Sequence, residues 1–487
     1  MKKKYIHFLI LVMLLSSLGA RGQSIYFNKS YDIDSLKPNN AGTVVQLADS
    51  GYVTMSCVFA PTYGAYSFIR TNKIGDTTIV KTYRYPWMFI NSGGGALIKT
   101  SDNCLLFSGV ISDSAGTNQD ALFVKFALNG DTIWTKRIGG TDDDASLALL
   151  LAPDSGFYSI GYTQSNNNGL SDFYLLKLDK NGLLQWQNQY GSTGSEDGMS
   201  ICYSPDGNLL LGGIKSGEMY IIKVSLSGNF MWDKVLSNTV GFGQVFSTPD
   251  GNIYLAGGKM ITASDENGLI VKMDNAGNVI WQQNYGWLND QDEIFSSPVY
   301  DSLTQILYYA GNTLGSASVK GWLLAIDTSG LFHWQHTYYR INNQDCYFYS
   351  VKRTSDNGFI LAGFAMVTGQ DAWLVKVDSN GCETPNCPVG INEIYPTSGN
   401  SFIYPNPFNH FGTLQFTTPN LTSLELRIIN VSGQIIETKF MRAGEQQIVI
   451  DGQELPAGIY FVLIMSEGVV TEATKFVVEH WEFLKNI

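Results

Sequence analysis

Charge is scarce in this chain. Only 15% of its 487 residues are Asp, Glu, Lys or Arg, against roughly 25% in an average soluble protein. Basic runs are missing after Lys2-Lys3-Lys4, and 31 Lys and Arg face 43 Asp and Glu. A surface that must neutralise phosphates is not built this way, which argues against a nucleic-acid partner. Histidine is rarer still, with 5 in the chain. No His-Glu-x-x-His pair, Gly-x-Ser-x-Gly elbow or phosphate-gripping glycine loop occurs, so the common signatures of zinc peptidases, α/β-hydrolases and nucleotide-binding enzymes are lacking. Past the N-terminus no apolar run approaches the roughly 20 residues that a bilayer demands, so no transmembrane segment is expected in the mature chain. What the chain has instead is 44% apolar residues, 13% aromatics and 50 glycines. That apolar content rules out a disordered chain, and the length allows two or three domains.

Residues 1–22 read as a secretory signal peptide. Lys2, Lys3 and Lys4 precede an apolar core around Phe8 to Leu15, and a small-residue exit ends near Ala20 and Gly22. Its removal with Arg21 takes the net charge from −12 to about −16, an acidic exported protein. Of six cysteines, Cys57, Cys104, Cys202 and Cys346 sit singly in apolar, strand-like segments and read as free thiols. Cys382 and Cys387 flank Glu-Thr-Pro-Asn, close enough to form a disulfide in an oxidising compartment.

Internal repetition dominates the rest. Aligned on a turn glycine, the copies fall at Gly75, Gly130, Gly182, Gly228, Gly277, Gly330 and Gly381, roughly 50 residues apart. Four residues after the glycine stand Ile79, Trp134, Trp186, Trp232, Trp281 and Trp334. Five residues before it stand Arg70, Lys125, Lys177, Lys223, Lys272, Ala325 and Lys376. Before the turn, Phe173 to Leu178 is apolar on both faces, as in a strand sandwiched between sheets. After it, Leu184, Trp186 and Tyr190 alternate with Gln185, Gln187 and Gln189, as in a half-exposed outer strand. Further turns such as Asp154-Ser-Gly156, Pro249-Asp-Gly251 and Asp356-Asn-Gly358 separate two more strands in each copy.

Seven copies of a four-stranded unit predict an all-β fold, a seven-bladed β-propeller over residues 24–381. The Leu-Asp-x-x-Gly-x-x-x-Trp stretch resembles the blade motif of quinoprotein-like propellers, and that resemblance implies ring closure. The chain begins mid-motif at Ile25 to Tyr31 and leaves the last copy at Gly381 without a Trp strand. One hybrid blade is therefore expected, with three strands from about 345–377 and its fourth from about 25–31.

Residues 382–401 turn to Pro, Asn, Ser and Gly and read as a linker. Alternating segments over 402–480 predict a small β-sandwich, followed by a tail at 481–487. Four pieces of this module stand out: Tyr404-Pro405-Asn406-Pro407-Phe408, Asn430-Val-Ser-Gly433-Gln434, Leu455-Pro-Ala-Gly458-Ile-Tyr460 and Lys475-Phe-Val477-Val478. In order and spacing they resemble the type A C-terminal sorting domain of the bacterial type IX secretion system. The resemblance implies passage across the outer membrane, recognition by the secretion machinery, and delivery to the cell surface or medium via the periplasm. The family ends close to the Lys-x-Val-Val strand, whereas here a tail beginning at His480 continues to Ile487.

Chemistry is sparse. His333 and His336 lie three apart on one strand and so face opposite ways, unable to share a metal. Acidic loops are the exception: Asp142-Asp143-Asp144, Glu196-Asp197, Asp290 with Asp292-Glu293, and Asp345. Asp144, Asp197, Asp292 and Asp345 fall at nearly one offset from the preceding Trp and are candidates for Ca²⁺, which takes oxygen ligands. A carboxylate capping its own loop through backbone amides explains one acid per copy better. No catalytic residue and no cofactor beyond that optional Ca²⁺ is assigned. The expected function is a non-catalytic exported propeller that binds a protein or glycan through loops at one rim. The alternative is a secreted polysaccharide hydrolase or lyase using the rim carboxylates, with Asp142 to Asp144, Asp290 and Asp292 as first candidates.

Overall fold

The computed structural model describes residues 24–479 apart from 34–38, 61–62, 87–95, 113–117, 166–169, 263–264, 288–289, 316–317, 342–343, 368, 386, 388–400, 417–423, 432–433, 443 and 467–468. The expected signal peptide, most of the expected linker, Gly433 and the tail at 481–487 lie outside the described residues. Among those described, every regular element is a β-strand. The chain divides into two units, 1–389 and 390–487.

In the first unit the strands form four-stranded antiparallel arrays over 39–86, 97–138, 148–190, 196–236, 240–285 and 291–338. The fifth and sixth arrays touch through one pairing, Glu266 with Gln291. A further array combines Cys346–Arg353, Phe359–Met366 and Gln370–Val377 with Phe27–Tyr31, which runs antiparallel to Gln370–Val377. The two ends of the unit thus share one sheet, as the interrupted repeat predicts.

The third array shows why the repeat has its spacing. Asp179 turns the chain by accepting the amides of Asn181 and Leu183, both at 2.8 Å. Gly182 follows at φ +77°, and a Cβ there would lie 2.8 Å from Trp134 of the preceding array. Glycine is required twice over, by backbone hand and by the indole above it. A bulge between Lys177 and Leu178 then shifts the outer strand by one residue. That shift puts Leu184, expected on the inner side with Trp186, out in solvent. The same bulge recurs beside Lys125, Lys223, Lys272 and Ala325.

The recurring lysine has a recurring partner. Lys125 binds Asp102 at 2.6 Å, Lys177 binds Asp154 at 2.8 Å, Lys223 binds Asp206 at 2.7 Å and Lys376 binds Asp356 at 3.0 Å. Arg70 binds Asp49 at 2.6 Å in the same way. Each cation reaches from the third strand to the turn between the first two, so a buried charge is paired. Where Ala325 replaces the lysine, Asp301 is met by Arg353 of the next array at 3.1 Å.

Each array packs on the next through its own apolar cluster. Phe68 meets Phe107 and Phe126, Phe123 meets Phe157, Phe173 meets Tyr220, and Ile221 meets Leu255 and Leu269. Tyr254 meets Trp322, Tyr308 meets Phe348 and Trp373, and Phe27 and Leu374 meet Tyr52 and Ile69. The last of these clusters joins the final array to the first.

In the second unit, Ser401–Tyr404, Phe411–Phe416 and Gln447–Asp451 form one sheet. Leu424–Asn430, Ile435–Met441, Gly458–Ser466 and Val469–Val478 form another. Residues from both sheets, among them Ile403, Leu414, Ile450, Leu426, Val462 and Phe476, share one core, the arrangement of a small sandwich.

Candidate functional site

Each array of the first unit has a turn end, holding the glycine turns and Lys–Asp pairs, and a loop end, where the chain enters its first strand. The rim carboxylates lie at the loop end and do two different jobs. Asp144 is fully buried and accepts the Gly140 amide at 2.6 Å and the Ser165 hydroxyl at 2.9 Å. Glu196 takes the same role, accepting Ser192 Oγ at 2.6 Å beside Lys215 Nζ at 3.2 Å. Asp292 accepts the Trp287 amide at 2.6 Å. These three cap their own loops. Asp345 instead accepts the Val319 amide at 2.9 Å, tying the loop to the start of the previous array's third strand, as Asp143 does for Gln119 at 2.8 Å.

The offset from Trp therefore mixed two positions. In the fourth array the loop cap is Glu196 rather than Asp197, because neighbouring strand residues point to opposite faces and one step exchanges their surroundings. Burial pushes Asp144 and Asp197 above the usual carboxylate range. Among the described residues no three His, Cys, Asp or Glu side chains are gathered to hold a metal ion.

The loop end is not uniform around the arrays. In the fifth, sixth and seventh, rings join into a chain that the linear sequence does not reveal. Phe242 lies 5.1 Å from Phe295, Phe295 lies 5.9 Å from Tyr349 edge to face, Tyr349 lies 6.0 Å from Phe364, and Phe364 stacks on Tyr347 at 4.6 Å. None of these five side chains is fully buried. Glu293 stands beside them, close enough for its charge to act on Tyr349. Desolvation, with Glu266 nearby, pushes Glu293 up to about 8, and burial raises Glu266 itself. Gly241 and Gly258 clear the space for these two carboxyls, since a Cβ at either would meet a Glu oxygen. Apolar faces edged by hydroxyl and carboxyl groups suit a ligand with alternating apolar and hydroxylated surfaces.

At the turn end the tryptophans cover the next array's glycine. A Cβ at Gly228 would lie 3.0 Å from Trp186, one at Gly277 3.2 Å from Trp232, and one at Gly381 2.8 Å from Trp334. Tyrosines latch the same carbonyls: Tyr31 to Gly75 at 2.8 Å, Tyr285 to Gly330 and Tyr338 to Gly381 at 2.7 Å, and Tyr83 to Gly130. This indole series joins arrays. His336 meets the Asn380 carbonyl at 3.0 Å, and His333 lies 3.6 Å from Asp327. Cys382 and Cys387 are disulfide-bonded, with Cα atoms 5.8 Å apart. Between them Glu383 accepts a hydrogen bond from Asn28 at 2.7 Å.

In the second unit the motif pieces converge on the last strand. Pro405 and Pro407 flank Asn406 in cis peptide linkages. Asn406 donates to the Lys475 carbonyl at 3.2 Å and accepts the Val477 amide at 2.8 Å. Phe408 is buried and stacks on Phe476 at 5.4 Å, and Tyr460 stacks on the same ring at 5.5 Å. Gly412 and Gly452 make room for Phe408, a requirement the motif reading missed. Gly458 opens its strand opposite Val478, while Tyr404 and Lys475 are exposed. Residues 402–479 match the family model of a secretion system C-terminal sorting domain. This unit carries the sorting domain of the type IX secretion system. The sorting domain indicates export to a secreted or cell-surface location and implies interaction with the secretion machinery.

Other comparisons are looser. The regulatory protein FlaEY of Caulobacter vibrioides is 24% identical over 231 residues, 42% of this chain and 24% of that protein. The chain thus spans about a quarter of that relative's length. Among solved structures, an ulvan lyase has a TM-score of 0.49 at 10% identity, covering 72% of this chain and 96% of that one. The WD40 domain of Toxoplasma gondii coronin has a TM-score of 0.40 at 9% identity, covering 73% and 87%. No helix among the described residues is long and apolar enough to cross a membrane.

Proposed function

We propose that residues 24–381 form a closed seven-bladed β-propeller and that its loop end binds a neutral glycan at the cell surface or in the medium, without catalysis. Closure is supported by a count: seven arrays have seven apolar seams, where an open stack would have six. The first strands of successive arrays also touch in turn, around to the first again. Lys352, on the first strand of the seventh array, is exposed to solvent yet desolvated enough to lower its pKa. A side chain standing in a water-filled central channel has both properties.

The single observation that carries the binding reading is the run of rings from Phe242 to Tyr347. They come from three arrays and stand at one mouth with Glu266 and Glu293. Acidic surroundings and an exported net charge near about −16 disfavour a polyanionic chain. A neutral saccharide, whose apolar ring faces stack on aromatics, fits better. The test is affinity electrophoresis and calorimetry of the mature protein against neutral polysaccharides. Binding that falls about tenfold or more in Tyr349→Ala or Phe295→Ala, with unfolding little changed, is expected, in line with aromatic contacts worth ~0.5–1.5 kcal/mol beyond area. Equal retention of wild type and both variants would refute it. Deleting residues 402–487 should leave the chain in the periplasm, detected by cell fractionation.

A second reading, polysaccharide hydrolysis or elimination, draws on the juxtaposition of two enclosed carboxyls with those rings. It requires product release from a polysaccharide that Glu293→Gln abolishes without weakening retention.

A further inference from the structure

Buried oxygens without partners collect at one place on the loop end, on the strand faces opposite Glu266 and Glu293. Asp292 is fully buried, and its Oδ1 has no hydrogen-bond partner although Oδ2 accepts the Trp287 amide. Asp265, 3% exposed, also has a buried Oδ1 without a partner. The Oδ1 of Asn267 is a third such atom and the hydroxyl of Thr313 a fourth. Asp292 Oδ2 and Asn267 Oδ1 both converge on Gly286, whose missing side chain leaves the space they occupy. Thr313 is the ladder partner of Asp292, near enough to favour its charged form without hydrogen-bond geometry. The charges of Asp265 and Asp290 both act on Asp292. A buried polar atom left unpaired has lost its water with nothing to replace it. Four together, two of them on carboxylates, call for a shared partner.

The second array offers a built-in comparison. The same three repeat positions there hold Asn118, Asp120 and Asp144, each again with an unpartnered buried Oδ1. Gly139 stands where Gly286 does, between Asp120 and Asp144. In that array, however, Arg137 forms an ion pair with Asp120. Three residues beyond the tryptophan, where the second array has Arg137, the fifth has Asn284, which brings no charge.

The geometry points to a Ca²⁺ site at the loop end between the fifth and sixth arrays, held by Asp265, Asn267, Asp292 and the Thr313 hydroxyl. The donors are all hard oxygens, mixed in charge and drawn from three strands, which suits an ion taking six to eight oxygens in flexible geometry. Water completes the shell. The ion fastens the fifth array's third strand to the loop that starts the sixth, the job that Arg137 helps to do in the second array. Two carboxylates and two neutral oxygens place its affinity with extracellular modules, at about 10⁻⁴–10⁻³ M.

Trp287 lies beside the site, so sensitised Tb³⁺ luminescence reads it directly. Mature protein freed of metal with chelator should show saturable emission on tryptophan excitation, displaced by Ca²⁺. Asp265→Asn should weaken Ca²⁺ displacement about tenfold or more, and Asp120→Asn should leave it unchanged. Asn267→Asp, which adds a carboxylate, should tighten it. That gain stays readable even where a loss variant misfolds. Ca²⁺ should also raise the thermal midpoint by a few degrees in wild type and not in Asp265→Asn, because it binds only the folded chain. No displaceable emission up to about 10 mM Ca²⁺, well above that range, would overturn the assignment. So would equal displacement in wild type, Asp265→Asn and Asn267→Asp.

Discussion

The two ends of the repeated unit follow opposite rules. At the turn end the same parts recur with few exceptions: an Asp, Asn or Ser that closes the turn, a glycine at positive φ, an indole or phenyl ring over it, and in five arrays a cation reaching for an aspartate. At the loop end the parts differ from array to array. Among the described residues, rings gather at the loop end in the fifth to seventh, Arg137 serves the second, and the loop cap is Asp in some arrays and Glu in another. Repetition marks what every array needs in order to pack on its neighbour. Departure from it marks what one place alone requires, and there a ligand is to be sought.

The comparison breaks most severely where the chain ends meet. Trp373 is fully buried, stacks on Phe348 at 4.3 Å and donates to Asn28 at 2.7 Å. Trp373→Ala should cost about 3–5 kcal/mol in denaturant unfolding and reduce ligand binding only in proportion to the unfolded fraction. Next comes the turn itself. Gly182→Ala puts a Cβ into the left-handed region and against Trp134, and should cost at least about 1–2 kcal/mol. The same change at Gly369, which nothing approaches within 4 Å, should cost far less.

Acid sharpens the contrast further. Arg70 holds Asp49, Lys125 holds Asp102 and Lys177 holds Asp154 below the usual carboxylate range. Because these folded values are lowered, the stability they contribute is complete above the unfolded value near ~4. It is lost as pH falls through the folded values. Urea midpoints should therefore drop below about pH 4, and the drop should shrink in Asp154→Asn. The smallest effect is expected at Asp49, whose partner Arg70 is 24% exposed where Lys125 and Lys177 are 8% and 6%. Asp49→Asn should change stability by less than about 1 kcal/mol. A loss as large as that at Trp373 would show that the exposed pair is part of the frame.

Much of the frame was legible in the chain. Fixed offsets around Gly182 and its equivalents located turn and indole, because each is a local event within ten residues, whereas the bulge beside Lys177 that turns Leu184 outward left no such mark. The shared sheet of Phe27–Tyr31 with Gln370–Val377 was legible from an incomplete first and last copy. The lysine series was visible without its meaning, since Lys177 sits on the third strand and Asp154 in the turn between the first two, and they meet only in the folded array. Asp197 was misread beside Glu196 because an offset count ignores strand parity. The ring chain left no local signal, as Phe242 and Phe364 come from arrays far apart in the sequence.

The sequence by itself determined the strand order, the number of copies and the sorting module, since each follows from short-range patterns that hold wherever the chain folds. Tertiary structure alone decided which carboxylates share a neighbour, which oxygens are buried without a partner, and which rings meet at one mouth. Those are properties of distance between arrays, and a repeat fixes distance within an array while leaving each loop free to differ.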